Sequence, residues 1–300
     1  MDLDLPPVLR RPDLLDAGWT DRELRRRRRS GQLHTVARGS YLRDGDERLD
    51  DAVRLHALRV RACSPLLSSD AVVSHASAAV LHGMAVWGVP LDRVHHTRDR
   101  PTGGRRTTTR HLHTAPLEPV DVTAVAGTVA TSPARTLDDL ARTVAFAPAV
   151  AVVDDALHRE LVEPQALLDV LMRTTGWRGA PAARRAIAFA DGRSMSVGES
   201  RSRVAMARLG LPVPELQFPI AGSFVDFAWP ELRVVGEFDG RVKYGKHLRS
   251  GEDPGDAVFA EKVREDRIRD EGWRVVRWIW VELADFRPVA QRLQRAFAAR

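Results

Sequence analysis

Asp226, Glu237 and Asp239 fall inside one short stretch, Phe-Val-Asp226-Phe-Ala-Trp-Pro-Glu-Leu-Arg-Val-Val-Gly-Glu237-Phe-Asp239-Gly. All three lysines of the 300-residue chain, Lys243, Lys246 and Lys262, follow it, and the rest of the 46 lysines and arginines are arginine. A chain that uses arginine elsewhere but keeps lysine in one window points to a need for an ammonium there. Lysine is a compact, mobile point charge whose pKa shifts on burial, which a guanidinium does not imitate. Acids with neighbouring lysines suit a metal-dependent phosphodiester site. Mg²⁺ takes oxygen ligands and is held by one or two carboxylates together with water and phosphate.

The elements that position these acids are short. Val225 to Trp229 and Val234 to Asp239 read as strands, rich in aromatic and β-branched residues. Pro230-Glu231-Leu232-Arg233 between them reads as a turn, with proline fixing φ at its start. With Glu231 and Leu232 as the central pair, Asp226 stands opposite Glu237, and such opposed Cβ atoms are roughly 4.5–5.5 Å apart. Asp239, two residues further, shares that face. Three carboxylates then converge with no compensating charge on the strands themselves, an arrangement that calls for a cation or a proton. The competing reading is a solvent-exposed sheet face with scattered acids.

Asp226, ten intervening residues, Glu237-x-Asp239-Gly240, a Glu-Lys-x-Arg-Glu-Asp helix and a Gly-Trp-Arg-Val-Val-Arg-Trp strand together resemble the PD-(D/E)XK nuclease superfamily. Within it the pattern is similar to uncharacterised domains related to very-short-patch-repair endonucleases, over about the last hundred residues. The resemblance implies that Asp226 and Glu237 bind the metal and that Glu199 is the acid on the preceding helix. Val225 stands where the signature has proline, and Asp239 stands where it has the lysine that orients or activates the attacking water. Lys243 or Lys262 is the substitute ammonium this implies; without one, the domain is a binding relic.

Glu199 has a second reading, because Ser196-Val-Gly-Glu199 fits a capping box opening a helix through Ala207. Lys262 lies on a stretch from Asp256 to Glu271 that reads as a helix, one turn from Asp266 and beside Phe259 and Val263, which mark the face toward the sheet. Its alternative is an i,i+4 ion pair. Tyr244, His247 and Arg249 fall in a loop expected to face substrate.

The net charge of +6 is local: residues 10 to 43 hold ten arginines and four acids, a difference of six. A patch of this kind points to a polyanion. Leu14 to Gly18 reads as a short helix, Thr20-Asp-Arg-Glu23 as a capping box opening a second helix through Arg25, Arg26, Arg27, Arg28 and Arg29, and Leu33 to Leu42 as two strands joined at Arg38-Gly39. That order predicts a winged helix-turn-helix, whose second helix enters the major groove. The five arginines run all round their helix, so some must contact phosphates or pair with acids elsewhere. The first sixty residues resemble the winged-helix domain of AbiEi-like antitoxins, as do Ser74-His-Ala-Ser-Ala-Ala-Val-Leu-His82-Gly and Thr131-Ser-Pro-Ala-Arg135-Thr-Leu-Asp-Asp-Leu140. The bland reading of the module is protein binding.

Residues 64–178 show no nameable chemistry. Arg93 to Thr97 and Thr107 to His113 alternate as strands; Ala71 to His82, Ala134 to Thr143, Ala147 to Leu161 and Pro164 to Met172 read as helices. His111 and His113 share a strand face with His95 and His96 nearby in sequence, yet no complete ligand set is visible, and these read as satisfied or exposed histidines. The single cysteine, Cys63, excludes an intramolecular disulfide framework and cysteine-based zinc fingers, and reads as a small buried hydrophobe in a reducing compartment. No apolar run approaches the eighteen or more residues of a membrane span, and the first residues lack the pattern of a signal peptide.

The expected architecture is modular α/β. It comprises a winged helix-turn-helix (1–62), a mixed α/β middle domain (63–178), a connector (179–192) in which Ala182 to Phe189 has helical character, and a restriction-endonuclease-like domain (193–300). The expected function is cytoplasmic, Mg²⁺-dependent hydrolysis of nucleic-acid phosphodiesters, with Mn²⁺ as substitute, Asp226 and Glu237 as metal ligands, and Arg25–Arg29 and Arg38 holding double-stranded DNA. The alternative is a non-enzymatic, antitoxin-like DNA-binding regulator with a degenerate nuclease domain. A third reading makes both ends protein-interaction modules.

Overall fold

A computed structural model describes residues 8–240 and 263–299. It is mixed α/β, with three separate sheets. Contacts divide it into two compact units: one takes the described residues up to Val152 with Glu160–Phe189, the other Val153–Arg159 with the described residues from Ala190 on.

The first unit begins with β1 (Leu9–Arg10), α1 (Arg11–Asp16), α2 (Asp21–Arg29), β2 (Leu33–Ala37) and β3 (Ser40–Arg43). The helices, strands and turn expected here are all present. Thr20 Oγ accepts from the Glu23 amide at 3.2 Å while the Glu23 carboxylate accepts from the Thr20 amide at 2.8 Å, so two orphan donors are satisfied reciprocally. The strands form a sheet in the order β1-β3-β2. Leu14, Leu24, Leu33 and Tyr41 make the small core beneath the two helices.

α3 (Ala52–Cys63) follows, capped by Asp51, whose carboxylate accepts from the amides of Val53 and Arg54. The expected division after residue 62 falls at the end of this helix, which packs in two directions. Leu58 joins Val36 and Leu42 of the hairpin, while Val60 and Cys63 join Val73, Leu81, Val94 and Ala130. Cys63 is buried, as expected of a small hydrophobe.

The rest of the unit holds β4 (Ala71–Val73), α4 (His75–Leu81), β5 (Val94–Arg98), β6 (Arg105–Arg106), β7 (Arg110–Thr114), β8 (Val122–Val125) and β9 (Thr128–Thr131). They form a six-stranded sheet in the order β6-β7-β5-β4-β9-β8. Four helices follow: α5 (Pro133–Thr143), α6 (Phe146–His158), α7 (Pro164–Arg173) and α8 (Ala180–Phe189). One expectation changes. Ala71–Val73, read as helix, is a strand paired with β5 and β9, and the helix starts only at His75, which takes a left-handed φ of 52°. The helical character expected of Ala182 to Phe189 is present in α8, whose Ala180, Ala183 and Ala186 recur at helical spacing and are buried.

The second unit holds α9 (Val197–Arg208) and a four-stranded sheet of β10 (Glu215–Ile220), β11 (Ser223–Trp229), β12 (Val234–Asp239) and β13 (Arg274–Ile279) in that order. Residues 263–270 form a helix, α10, and α11 spans Arg287–Ala298. Phe227, Trp229, Val234, Val276 and Trp278 pack with Met206 of α9 and Val289 and Leu293 of α11. Ala228, Val235 and Val225 pack with Ile268 of α10 and Trp273. Gly236 is needed where it stands: a Cβ there would lie 2.7 Å from the Trp278 ring.

Candidate functional site

Pro230–Leu232 forms a 3-10 turn closed by Arg233 at φ 50°, and the strands on either side pair as expected. Trp229 faces Val234, Ala228 faces Val235 and Phe227 faces Gly236. One further step of that register sets Asp226 opposite Glu237, and the Asp226 carboxylate accepts from the Phe238 amide at 2.8 Å. Glu199 comes from α9, which can approach β12 because Gly198 lies against the Phe238 ring; a Cβ on Gly198 would fall 1.9 Å from that ring.

Asp226 carries the electrostatic signature of the site. Burial, then the neighbouring charge of Glu199, and further the charge of Glu237, push its carboxyl up to about 7, against the opposing pull of the Phe238 amide and of Arg264. Two of the candidate acids therefore crowd a third. Glu199 is itself well held: Ser196 donates to it at 2.7 Å, the Met195 amide at 2.9 Å and Gln217 at 3.2 Å, while the Glu199 amide donates to Ser196 Oγ. Ser196 Oγ thus caps α9, but the Glu199 carboxylate takes the Met195 amide and not the Ser196 amide, so the reciprocal half of the expected capping box does not form, and the charge of Glu199 raises the pKa of Asp226.

Glu237 departs from expectation. Only 6% exposed, it is held by two guanidinium groups, Arg264 of α10 on Oε1 and Arg277 of β13 on Oε2, both at 2.7 Å. Arg277 also reaches Glu265 at 3.1 Å. The expectation of acids without compensating charge on the strands is therefore corrected: parallel pairing of β12 with β13 puts Arg277 directly beside Glu237. Nor do Asp226, Glu237 and Asp239 form a trio with ligand atoms within 4.8 Å of one another; among the described residues that property belongs to His75, His95 and His113. Asp239, the last residue of β12, is half-buried. Lys243, Lys246 and Lys262, with Tyr244, His247 and Arg249, lie outside the described residues.

The basic helix divides its arginines by role. Leu24 turns inward, Arg27 stacks over the Trp19 ring at 4.4 Å from its centroid, and Arg28 lies 5.9 Å from that of Tyr41. Arg25, Arg26, Arg28 and Arg29 are exposed, as is Arg38 at the hairpin turn. Arg25, Arg26 and Arg29 line a shallow groove of about 700 Å³ with Arg22. Arg25, Arg28 and Arg29 line a second, of about 520 Å³, against Leu33, His34 and Thr35 of the hairpin. Of the two alternatives expected for these arginines, pairing with acids elsewhere is not seen among the described residues: none of Arg25–Arg29 forms an ion pair, and Arg27, the one turned from solvent, lies against an indole with its buried Nε lacking a hydrogen-bond partner.

Sequence reasoning missed Arg264 and Arg277, and it passed over the histidines as satisfied or exposed. A signal for Arg277 was present in the alternation of Arg-Val-Val-Arg on β13, but its partner depended on a non-local parallel register.

No family model matches the chain. Two uncharacterized proteins of Mycobacterium tuberculosis, from strains CDC 1551 and H37Rv, are each 35% identical over 157 residues, covering 51% of this chain and 55% of their own. The chain thus spans about half the length of the curated relatives it matches. Among solved structures, the homing endonuclease I-Bth0305I catalytic domain is 20% identical with a TM-score of 0.26, covering 33% of this chain and 92% of that domain. The Rv2827c protein from Mycobacterium tuberculosis is 17% identical with a TM-score of 0.39, covering 66% and 76%. At these scores neither likeness assigns a fold. Among the described residues no helix is long and apolar enough to cross a membrane.

Proposed function

We propose that the second unit is a nuclease-type domain that hydrolyses nucleic-acid phosphodiesters with Mg²⁺ at Asp226 and Glu237, and that the first unit holds duplex DNA through a winged helix. The observation that carries the first half is the placing of Asp226 in a buried spot beside Glu199 and Glu237, where burial first and the neighbouring charges second push its carboxyl up to about 7. Acids gathered at a cost in repulsion suit a site completed by a cation. Asp226 fits that role directly. Glu237 fits it once one of its two arginines lets go.

Arg264 and Arg277, about a third exposed, are placed to make that exchange. A phosphate entering beside Glu237 is a bidentate partner for a guanidinium, so substrate could draw one arginine off as the metal takes its place. Bound there, Mg²⁺ would lower the pKa of a coordinated water and offset charge on the phosphate. Asp226 would hold its deprotonated form once the cation is present. Lys243 or Lys262 would supply the ammonium missing at Asp239.

The winged-helix half rests on exposed Arg25, Arg26, Arg28, Arg29 and Arg38, which form no ion pair among the described residues; Arg25, Arg26 and Arg29 line a groove along α2, and Arg25, Arg28 and Arg29 one between α2 and β2. Phosphate contacts of this type fix position and give binding its salt dependence.

The second reading, a DNA-binding regulator without cleavage, is favoured by one observation: Glu237 already has both oxygens satisfied. Purified protein incubated with duplex, single-stranded and mismatched DNA, with Mg²⁺, Mn²⁺ or EDTA, separates the two. Metal-dependent cleavage lost in Asp226→Asn supports hydrolysis. Salt-dependent binding with no cleavage under any condition supports the regulator.

A further inference from the structure

Histidine, not carboxylate, forms the tightest cluster of ligand-type side chains among the described residues, and it lies wholly in the first unit. Parallel pairing of β5 with β7 sets His95 beside His111 and Thr97 beside His113. Alternation then places His95, His111 and His113 on one face of the six-stranded sheet. α4 and α5 bring His75 and Asp139 to that face. His95 Nδ1 is 3.0 Å from His113 Nε2, the His75 and His113 rings stack with centroids 3.8 Å apart, and His75 Nδ1 is 3.7 Å from Asp139 Oδ2.

The partners of Asp139 make the arrangement informative. Its Oδ1 accepts from Arg135 Nε at 3.1 Å and from Arg142 Nη2. Its Oδ2, on a residue with no exposed surface, has no hydrogen-bond partner among the described residues. A buried carboxylate oxygen left without a donor is costly, and here it is the oxygen turned toward a histidine ring. His75, only 5% exposed, also sits at a left-handed φ of 52°, a conformation unfavourable for a non-glycine residue and held by its surroundings.

We infer that His75, His95 and His113 form a binding site for a transition-metal dication of the Zn²⁺ class, tying α4 to the six-stranded sheet, with Asp139 of α5 facing His75 through Oδ2 as the carboxylate behind a ligand. Three imidazoles are a donor set for zinc and its neighbours, whereas Mg²⁺ and Ca²⁺ take oxygen. Nitrogens bound tetrahedrally at about 2.0–2.1 Å from zinc lie roughly 3.3 Å apart, close to the 3.0 Å between His95 and His113. In the absence of an ion the two rings share one N–H as a hydrogen bond, and a metal would replace that proton and take a lone pair from each nitrogen. Histidine ligates through its neutral imidazole.

The surroundings limit the site to one ion. Arg135 and Arg142 orient Asp139 through Oδ1, the role outer-shell partners play at metal centres. Their charges are answered by Asp121 on Arg135 at 2.9 Å and Asp138 on Arg142 at 3.0 Å. Arg93 and Arg106 lie near His111 and disfavour a second cation there. Three donors from three elements, His75 buried and His95 and His113 half-buried, would hold the ion and leave its fourth tetrahedral position to water.

The test uses the untagged full-length chain, stripped with chelator, loaded with Zn²⁺ and dialysed, with bound metal counted by elemental analysis. One zinc per chain and a raised melting temperature are expected, and Co²⁺ in its place should give the strong visible absorption of a tetrahedral centre. His95→Ala and His113→Ala should lose the retained ion, and Asp139→Asn should weaken binding about 10–100-fold. His34→Ala, on the first hairpin, and Asp226→Asn should keep it, which separates this site from the acids of the second unit. If the histidine variants fail to fold, the wild-type Co²⁺ spectrum still decides. A wild-type chain that retains no zinc and shows no tetrahedral spectrum, or folded histidine variants that retain the ion, would overturn the assignment.

Discussion

The basic helix of the first unit and the acidic end of the sheet in the second handle excess charge in opposite ways. Around α2, Arg25, Arg26, Arg28 and Arg29 are exposed and unanswered by carboxylates among the described residues, while Arg27 takes its partner from the Trp19 ring. Around β12, Glu237 is answered twice from within the unit, and the surplus repulsion falls on Asp226. Positive charge on a solvated helix costs little to leave unpaired, because water and salt screen it. Negative charge at a half-buried sheet end cannot be left so, and the unit supplies arginines, a backbone amide or a proton. Arginine thus reads as a partner-seeking surface in one place and as internal neutralisation in the other.

The largest expected effect breaks the acidic side. Asp226→Asn should lower metal-dependent cleavage by about 10²–10³-fold, the scale of losing one electrostatic contact at a reaction centre. Single-turnover assays on plasmid DNA measure it, and full activity in the variant would remove Asp226 from the site.

On the basic side, alanine replacement of α2 arginines in pairs should flatten the salt dependence of DNA binding by about 1.8 log–log units per pair. Arg27 should contribute least of the five, since it is engaged with Trp19. Slopes that stay unchanged for every pair would move this helix from DNA contact to protein packing.

Removing either answer to Glu237 tests how internal the neutralisation is. Arg264→Ala or Arg277→Ala leaves one guanidinium in place, so each should cost about 1–3 kcal/mol in denaturant unfolding, the scale of a charge-assisted hydrogen bond. A double variant losing more than the sum would show that either arginine suffices when the other is gone.

A further effect is in pH. The folded-state pKa of Asp226, about 7, lies above its ordinary 3.8. Its protonated form therefore contributes stability fully below the ordinary value, and that contribution is lost as pH rises to about 7. In metal-free buffer, the melting temperature of Asp226→Asn should gain on wild type between pH 4 and 7 and hold that advantage above. An advantage that does not change with pH would mean an unshifted carboxyl.

What the sequence showed of this site follows from the range of each interaction. The opposition of Asp226 and Glu237 was legible because a proline-led turn and two alternating strands fix a local register. The capping by Thr20 and Glu23 was legible for the same reason, since both partners lie within one turn. Arg277 was not, because its place beside Glu237 depends on a parallel pairing between β12 and β13. The histidine cluster was hidden more deeply: two of its rings meet through the parallel β5–β7 pairing, and the third rides on a helix whose first residue has a positive φ. The strand Ala71–Val73 was lost to helical composition, since three small apolar residues carry no period of their own.

α3 has a practical consequence for anyone cutting the gene. Its Leu58 side completes the hairpin's core and its Val60 and Cys63 side completes that of the six-stranded sheet. A fragment ending at residue 62 would carry the arginine helix intact but present a raw apolar stripe to solvent, inviting aggregation that could be mistaken for self-association. A fragment beginning at 63 would lack the plug over its own sheet. The DNA-contact candidate and the histidine cluster are therefore best expressed as one piece.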